Sequence, residues 1–201
     1  MNQTREVVIH CAKYISGKTL DLGAGTAKYR GLIKPRASEY VTLDFVAGPN
    51  VDVVSSVLHT PFADSSFDTI VSTQVLEHVD DPEQMVREIA RLLKPGGYVL
   101  VSAPFLVPYH ADPNDYFRYT QEGLSTFCVR AGLGVIEGGR YGGFFTVLSE
   151  FVHFVFLNPY KHHSRLANFA VKVLQAILLP LDSLTHPKII FANVYVVARK
   201  P

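Results

Sequence analysis

The stretch Thr19-Leu20-Asp21-Leu22-Gly23-Ala24-Gly25-Thr26-Ala27 is an apolar strand that runs straight into a turn with two glycines. Gly23 and Gly25 carry no Cβ, so the chain can bend sharply there and pass close to a ligand. A helix expected to begin near Thr26 would aim its free N–H groups at the same place. Asp21 stands just before the turn. Its carboxylate would repel a pyrophosphate and suits a ligand with a cationic amino group. A dinucleotide-binding turn counted from Gly23 needs Gly or Ala at position 28, where this chain has Lys28, so an NAD-dependent oxidoreductase is disfavoured. A tight glycine turn without a ligand is the plain alternative.

The elements on either side extend the pattern. Arg5–Ser16 reads as a helix with Val8, Ala12 and Ile15 on one face, stopped by Gly17. Lys18–Leu22 is the first expected strand, Glu39–Phe45 the second and Val51–Val57, rich in β-branched residues, the third. Phe67–Thr73 follows as a fourth strand. Pro82–Leu93 has the helical spacing of Met85, Ile89 and Leu92, with Pro82 in the first turn. Tyr98–Ala103 is a fifth strand, Thr120–Ala131 a helix with Thr120 as N-cap, and Gly134–Glu137 begins a sixth strand. Ile189–Ala198 is the last. Strands alternating with helices predict an α/β fold, a mostly parallel sheet covered on both faces. Asp44, at the end of the second strand and about 20 residues past the glycine turn, is placed to accept from both hydroxyls of a ribose.

The rhythm breaks at 141–188, which reads as an apolar helical insertion before the last strand. Leu166, Phe169, Ala170, Val173, Leu174, Ile177 and Leu178 form one apolar stripe at helical spacing, and Pro180 is expected to break it. Neither Gly143–Leu157 nor Val171–Leu181 is long enough to span a bilayer. The insertion could cover an acceptor pocket, rest on a membrane surface beside the basic cluster Lys161, His162, His163 and Arg165, or bury against the sheet or a second subunit in a homodimer.

Composition narrows the partners. Nineteen Lys and Arg against eighteen Asp and Glu leave a formal charge of +1, so no basic excess points to nucleic acid. Cys11 and Cys128 are far apart and in no Cys/His cluster, as expected of buried free thiols in a reducing cytoplasm. The N-terminus has no apolar signal core, so a cytoplasmic location is expected, with a peripheral membrane contact left open.

Thr19–Ala27, Asp44, Pro61-Phe62-Ala63-Asp64-Ser65-Ser66-Phe67-Asp68, Leu76-Glu77-His78 and Leu93-Lys94-Pro95-Gly96-Gly97 occur in the order and spacing of the class I methyltransferases that use S-adenosylmethionine (SAM). Residues 17–140 resemble in particular the type 11 methyltransferase domain family. The resemblance implies a Rossmann-like sheet of seven strands with an antiparallel last strand, forming a single domain over 1–201 with its core in 17–140 and 189–199. It implies that Asp21, Gly23, Ala24 and Gly25 hold the methionine end of SAM and Asp44 the ribose. It further implies that Phe45 lies against the adenine, that the backbone near Ser56 and Val57 reaches the adenine edge, and that Thr73 and Gln74 face the sulfonium. Many relatives carry Asp where this chain has Ser56, which accepts more weakly.

The acceptor side is less defined. The segment Pro108–Thr120 is dense in polar and aromatic groups and follows the fifth strand, where ligands of open α/β sheets bind. It resembles an H…P…DY.RYT run in a bacterial subset linked to cell-surface glycan or lipid pathways, which implies a small or lipid-linked acceptor. His110 is the candidate general base, or a histidine that shapes the pocket. Asp115 and Arg118, three apart, are candidates for the chemistry, with Arg118 binding an anionic group, or else for a structural clasp. Glu77 and His78 with His110 resemble the end of an E-x-x-E-H metal run found in some other SAM-dependent enzymes. Gln74 replaces its first carboxylate, so no metal is expected and Glu77 and His78 are read as fixing a turn.

Overall fold

The computed structural model describes residues 1, 3–156, 165–184 and 189–201. Alternate residues of its central strands face two separate apolar layers. In β4 (Phe67–Thr73) Ile70 faces one layer and Val71 the other. In β5 (Leu93–Pro104) Val99 and Val101 face the first layer and Leu100 the second. In β7 (Asn193–Arg199) Val194, Val196 and Ala198 oppose Tyr195 and Val197 in the same way. Side chains of a strand alternate with period two, so apolar residues at every position require cover on both faces.

Helices supply that cover. On the first face lie α3 (Pro82–Leu92), burying Met85, Val86, Ile89 and Leu92, and α4 (Gln121–Arg130), burying Leu124 and Cys128. On the second lie α1 (Thr4–His10), a 3-10 turn at Cys11–Tyr14 and the short α2 (Arg30–Ile33), contributing Val7, Val8, Cys11 and Ile33. Each large aliphatic side chain so buried is worth roughly 1.5–3 kcal/mol. The helix starts are set locally. The Asp81 carboxylate accepts from Gln84 N–H at 2.9 Å with Pro82 behind it, and the Thr120 hydroxyl accepts from Gly123 N–H at 3.0 Å.

With β1 (Lys18–Leu22), β2 (Glu39–Asp44), β3 (Val53–Val54) and β6 (Gly134–Tyr141), the sheet has seven strands in the order β3-β2-β1-β4-β5-β7-β6. The pairings β3-β2, β2-β1, β1-β4 and β4-β5 are parallel, and β7 runs antiparallel to both its neighbours. The expected α/β architecture is therefore present. From β1 the chain winds outward to β3, then returns to β4 on β1's other side. The loops leaving β1 and β4 diverge, which opens a crevice at their carboxyl ends.

Several expected boundaries differ. The helix expected over 5–16 is α-helical only to His10 and then tightens into the 3-10 turn. The third strand shrinks from Val51–Val57 to two residues, because β2 ends at Asp44, which pairs with Val54. The last strand starts at Asn193 instead of Ile189, because the ladder to both β5 and β6 begins at Asn193; Ile189 is 86% exposed. No helix starts near Thr26. Ala27 has φ +54°, which an α-helix cannot accommodate, and helical structure begins at Arg30.

The insertion forms two helices as expected, α5 (Phe144–Phe156) and α6 (Arg165–Leu181), but Pro180 lies inside α6 and does not end it. The predicted stripe is only partly buried: the Leu166 side chain lies outside the described residues, Leu174 and Leu178 are half-buried, and Phe169, Ala170, Val173 and Ile177 are exposed, as are Phe144, Leu148, Phe151 and Val155 of α5. The basic cluster at Lys161, His162 and His163, with the Arg165 side chain, falls outside the described residues. No helix among the described residues is long and apolar enough to cross a membrane. Asp182, just past α6 and 3% exposed, ties the pair together. Its carboxylate accepts from Gly143 N–H at 3.0 Å, Phe145 N–H at 2.8 Å, Thr146 N–H at 3.0 Å and the Thr146 hydroxyl. A negative charge thus satisfies the open N–H groups at the start of α5. Asp182→Ala is expected to cost about 2–4 kcal/mol, since four donors, three backbone N–H groups and the Thr146 hydroxyl, lose a charged acceptor. Urea unfolding measures the loss, and hydrogen exchange should locate it in α5 and α6 and not in the sheet.

Candidate functional site

The loops after β1, β2 and β4 enclose a cleft of roughly 1060 Å³. All ten residues expected to hold a cofactor line it: Asp21, Gly23, Ala24, Gly25, Asp44, Phe45, Ser56, Val57, Thr73 and Gln74. Hydrogen bonds hold the turn in place. Gly23 and Ala24 N–H donate to Leu43 O at 2.9 and 3.0 Å, and Gly25 N–H donates to Asp44 Oδ2 at 2.8 Å. Gly23 has φ +75°, and a Cβ there would lie 2.4 Å from Val75 Cγ2, so the turn and β4's exit loop require a residue without a side chain. A Cβ on Gly25 would meet nothing within 4 Å, which marks the open space in front of the turn.

Two carboxylates flank that space. Asp44 is 9% exposed, and its other oxygen accepts from Val46 N–H at 3.0 Å, leaving each oxygen a further lone pair. Asp21 is 5% exposed and accepts from the Tyr40 hydroxyl at 2.6 Å. Burial pushes its carboxyl up to about 6; the Tyr40 bond opposes this and the charge on Asp44 adds to it. A carboxylate held this far above its ordinary range gains most from a cation placed beside it. Among the aromatic and hydroxyl groups, Phe45 is 56% exposed at the cleft mouth, and Ser56 Oγ already accepts from Leu58 N–H at 3.1 Å.

Gln74 holds an unusual backbone. Its φ is +57°, rare for a residue with a side chain and a feature of functional turns. Its N–H donates to Ser102 O at 2.9 Å, and its side-chain amide reaches Ser102 Oγ at 3.3 Å and the Tyr141 hydroxyl at 3.1 Å. Sequence patterns do not reveal a left-handed glutamine, which is imposed by the way β4 must leave the sheet. The cleft also gathers residues that the sequence reading did not assign to it, including Lys28, Tyr29, Val75 and Asp80.

The loop after β5 closes one side through Asp112, Pro113, Asn114 and Tyr116, while His110, Asp115 and Arg118 do not line the cleft. Asp115 and Arg118 are bound to each other. Arg118 Nη2 donates to Asp115 Oδ2 at 2.6 Å and Nη1 to Oδ1. The remaining guanidinium donors reach the carbonyls of Val107 at 3.1 Å, Pro108 at 3.0 Å and Phe117 at 2.8 Å. All five N–H groups are spent within the loop, so Arg118 has none left for an anionic substrate. The expectation of a chemical role for this pair gives way to a clasp. Burial of Asp115 alone would raise its carboxyl, and the Arg118 hydrogen bonds, the His110 backbone N–H and the charge of Arg118 together outweigh that and hold it below the ordinary range.

His110 stands on the inner side of this loop. Its N–H donates to Asp115 Oδ2 at 2.8 Å, and its ring meets that of His78 edge-on with centroids 5.1 Å apart. His78 does line the cleft. Between them lies Glu77, fully buried, with no hydrogen-bond partner on either carboxylate oxygen. Burial pushes its carboxyl up to about 8. Glu77 and His78 do form a 3-10 turn, Leu76–His78, whose Glu77 carbonyl accepts from Tyr116 N–H at 2.8 Å. The turn thus uses the Glu77 backbone and leaves its side chain unexplained.

Comparison with known proteins bears on this arrangement. Residues 20–101 match the model of a methyltransferase domain. A demethylmenaquinone methyltransferase of Renibacterium salmoninarum is 29% identical over 133 residues, 58% of this chain and 56% of that protein. An uncharacterized methyltransferase of Mycobacterium sp. strain JLS is 35% identical over 97 residues, 43% of this chain and 38% of that protein. The chain thus spans about half or less of the length of these curated relatives. Among solved structures, an S-adenosylmethionine dependent methyltransferase from Mesorhizobium loti superposes with a TM-score of 0.63 at 16% identity, covering 97% of this chain and 96% of that one. The cyclase SpnF superposes with a TM-score of 0.64 at 20% identity over 98% of this chain and 79% of its own, so the shared fold alone does not fix a reaction. The matched segment carries the glycine turn, both flanking carboxylates and the left-handed Gln74 within a seven-stranded sheet whose last strand is reversed, and this part of the chain is similar to a methyltransferase domain.

Proposed function

We propose that this chain transfers a methyl group from SAM to an oxygen atom of a small or lipid-linked acceptor. The observation that carries the reading is Asp21: a buried carboxylate with a raised pKa, opening onto a cleft whose glycine turn leaves free space. An ammonium group beside Asp21 offsets the cost of its burial, and SAM carries one; a dinucleotide would bring a pyrophosphate instead. When bound, SAM supplies an electrophilic methyl on a sulfonium. The protein's part is to position and to exclude water. Asp21 and the turn Gly23-Ala24-Gly25 would hold the methionine end. Asp44 would accept from the ribose hydroxyls with its remaining lone pairs, Phe45 would cover the adenine, and the backbone at Ser56 and Val57 would meet its edge. Thr73 and Gln74 would face the sulfonium.

Oxygen is favoured as the acceptor atom because His78 faces the cleft with Glu77 and His110 behind it, a group suited to assist loss of a hydroxyl proton. A lipid-linked acceptor is supported by the uncovered apolar faces of α5 and α6. The second reading, a SAM-binding protein without turnover, follows from the same cleft. Methyl transfer to extracted acceptors separates the two.

Calorimetry should show micromolar SAM binding, on the order of −8 kcal/mol, and none for NAD. Asp44→Ala should weaken SAM by about 1–3 kcal/mol, with a further loss if the Gly25 anchor loosens; unchanged affinity removes Asp44 from the site. Affinity should also depend on pH. Asp21 is raised in the free protein, so its stabilising contribution is present below the ordinary carboxylate range and lost as pH rises through about 6. An ammonium ligand selects the ionised form, so binding should weaken up to about tenfold per pH unit below 6. Asp21→Asn should bind poorly and show a flat profile over that range. A wild-type profile that is flat between pH 4.5 and 7 would remove Asp21 from contact with the ammonium.

A further inference from the structure

Glu77, His78 and His110 bring three ligand atoms within 4.8 Å of one another, from the turn after β4 and the loop after β5. His78 Nε2 lies 3.7 Å and His110 Nε2 3.9 Å from Glu77 Oε1. The protonation of both rings follows from their other nitrogens. His78 Nδ1 sits 2.6 Å from Asn114 O, and His110 Nδ1 sits 3.0 Å from Pro108 O. A carbonyl only accepts, so each Nδ1 carries a proton and each ring directs its Nε2, the atom that would coordinate a cation, toward Glu77. Three potential ligand atoms converge at Glu77–histidine separations too long for hydrogen bonds. The carboxylate among them is buried and has no hydrogen-bond partner.

We propose that Glu77, His78 and His110 bind one divalent first-row transition-metal cation, with a coordination position open to the cleft. Bonds of about 2.0–2.1 Å in a tetrahedral set place ligand atoms about 3.3 Å apart, so each Glu77–histidine distance has to close by only about 0.5 Å. Two imidazoles and a carboxylate favour such cations over magnesium or calcium, which prefer oxygen. Each histidine donates its second nitrogen to a backbone carbonyl, the arrangement that orients metal-ligating rings. The Asp115–Arg118 clasp gains a use here, since Asp115 holds the His110 backbone. Gln74 plays no part, because its amide is turned to Ser102 and Tyr141, so a carboxylate at that position is not needed. His78 and Asn114 line the cleft, which places the open position where an acceptor oxygen would enter. Metal binding itself is independent of the methyl-transfer reading, and only that placement rests on it.

The test uses the full chain stripped with a chelator and titrated with cobalt(II), zinc(II), manganese(II) and magnesium(II), followed by calorimetry and by the cobalt visible spectrum. The expected result is one saturable site for the transition metals, with magnesium at least tenfold weaker. Glu77→Gln, His78→Ala and His110→Ala should each lower cobalt affinity tenfold or more and change its spectrum. Circular dichroism identifies which variants fold, and Glu77→Gln, nearly isosteric, keeps the test alive if a histidine variant does not. No saturable site in the folded wild type, a preference for magnesium, or unchanged cobalt binding in a folded variant overturns the proposal. SAM binding measured on the same stripped protein reports separately on the methyl-transfer reading.

Discussion

The hydrogen bond from Gly25 N–H to the Asp44 carboxylate holds the cleft in shape. It joins the turn after β1 to the end of β2, while the second Asp44 oxygen takes Val46 N–H and sets the chain's exit toward β3. One carboxylate thus fixes two loops on adjacent parallel strands. Both would otherwise carry open N–H groups at the strand ends, where nothing in the sheet can satisfy them. Asp44 is structural in its own right, and a substitution there loosens both loops whatever it does to the proposed ribose contact.

The opposite wall is built on a different principle. The loop after β5 is long and irregular, and it is held by charge. Arg118 gathers three carbonyls and the Asp115 carboxylate, and Asp115 in turn anchors the backbone of His110. Tyr119 adds a buried hydroxyl bond to Leu76 O at 3.0 Å, and Tyr116 N–H meets the Glu77 carbonyl. Hydrogen bonds therefore join the loop and the turn after β4 around the Glu77 side chain. Burying an ionisable group without a partner is costly, and groups so placed cluster at functional sites.

The insertion touches one of these walls, where Phe154 of α5 meets the His110 ring edge-on with centroids 6.2 Å apart. Asp182 ties its two helices at one end, yet much of the apolar surface they carry is left uncovered. The helical spacing of 166–178 correctly signalled a helix but only partly its buried face, because Leu174 and Leu178 are half-buried while Phe169, Val173 and Ile177 are exposed and Val171, outside the stripe, is buried. Helical spacing in an apolar segment has several near-equivalent stripes, and the choice among them depends on what α6 packs against.

The sequence by itself determined the strand-helix alternation, the glycine turn and the carboxylate of Asp44 at a strand end. These are local properties: period-two burial, the lack of a Cβ, and a carboxylate where a strand stops. Phe45, Ser56, Val57, Thr73 and Gln74 are expected at the cleft only through the family resemblance. Only the tertiary structure decided the rest. The third strand is cut to two residues and the last begins at Asn193, because a strand can extend only as far as its neighbours pair with it. The commitment of Arg118 to its own loop, the left-handed Gln74 and the convergence of two histidine Nε2 atoms on a buried Glu77 depend on groups separated by up to 67 residues in the chain. Their meeting is set by how β4 and β5 leave the sheet side by side, a distance relation that no run of residues encodes locally.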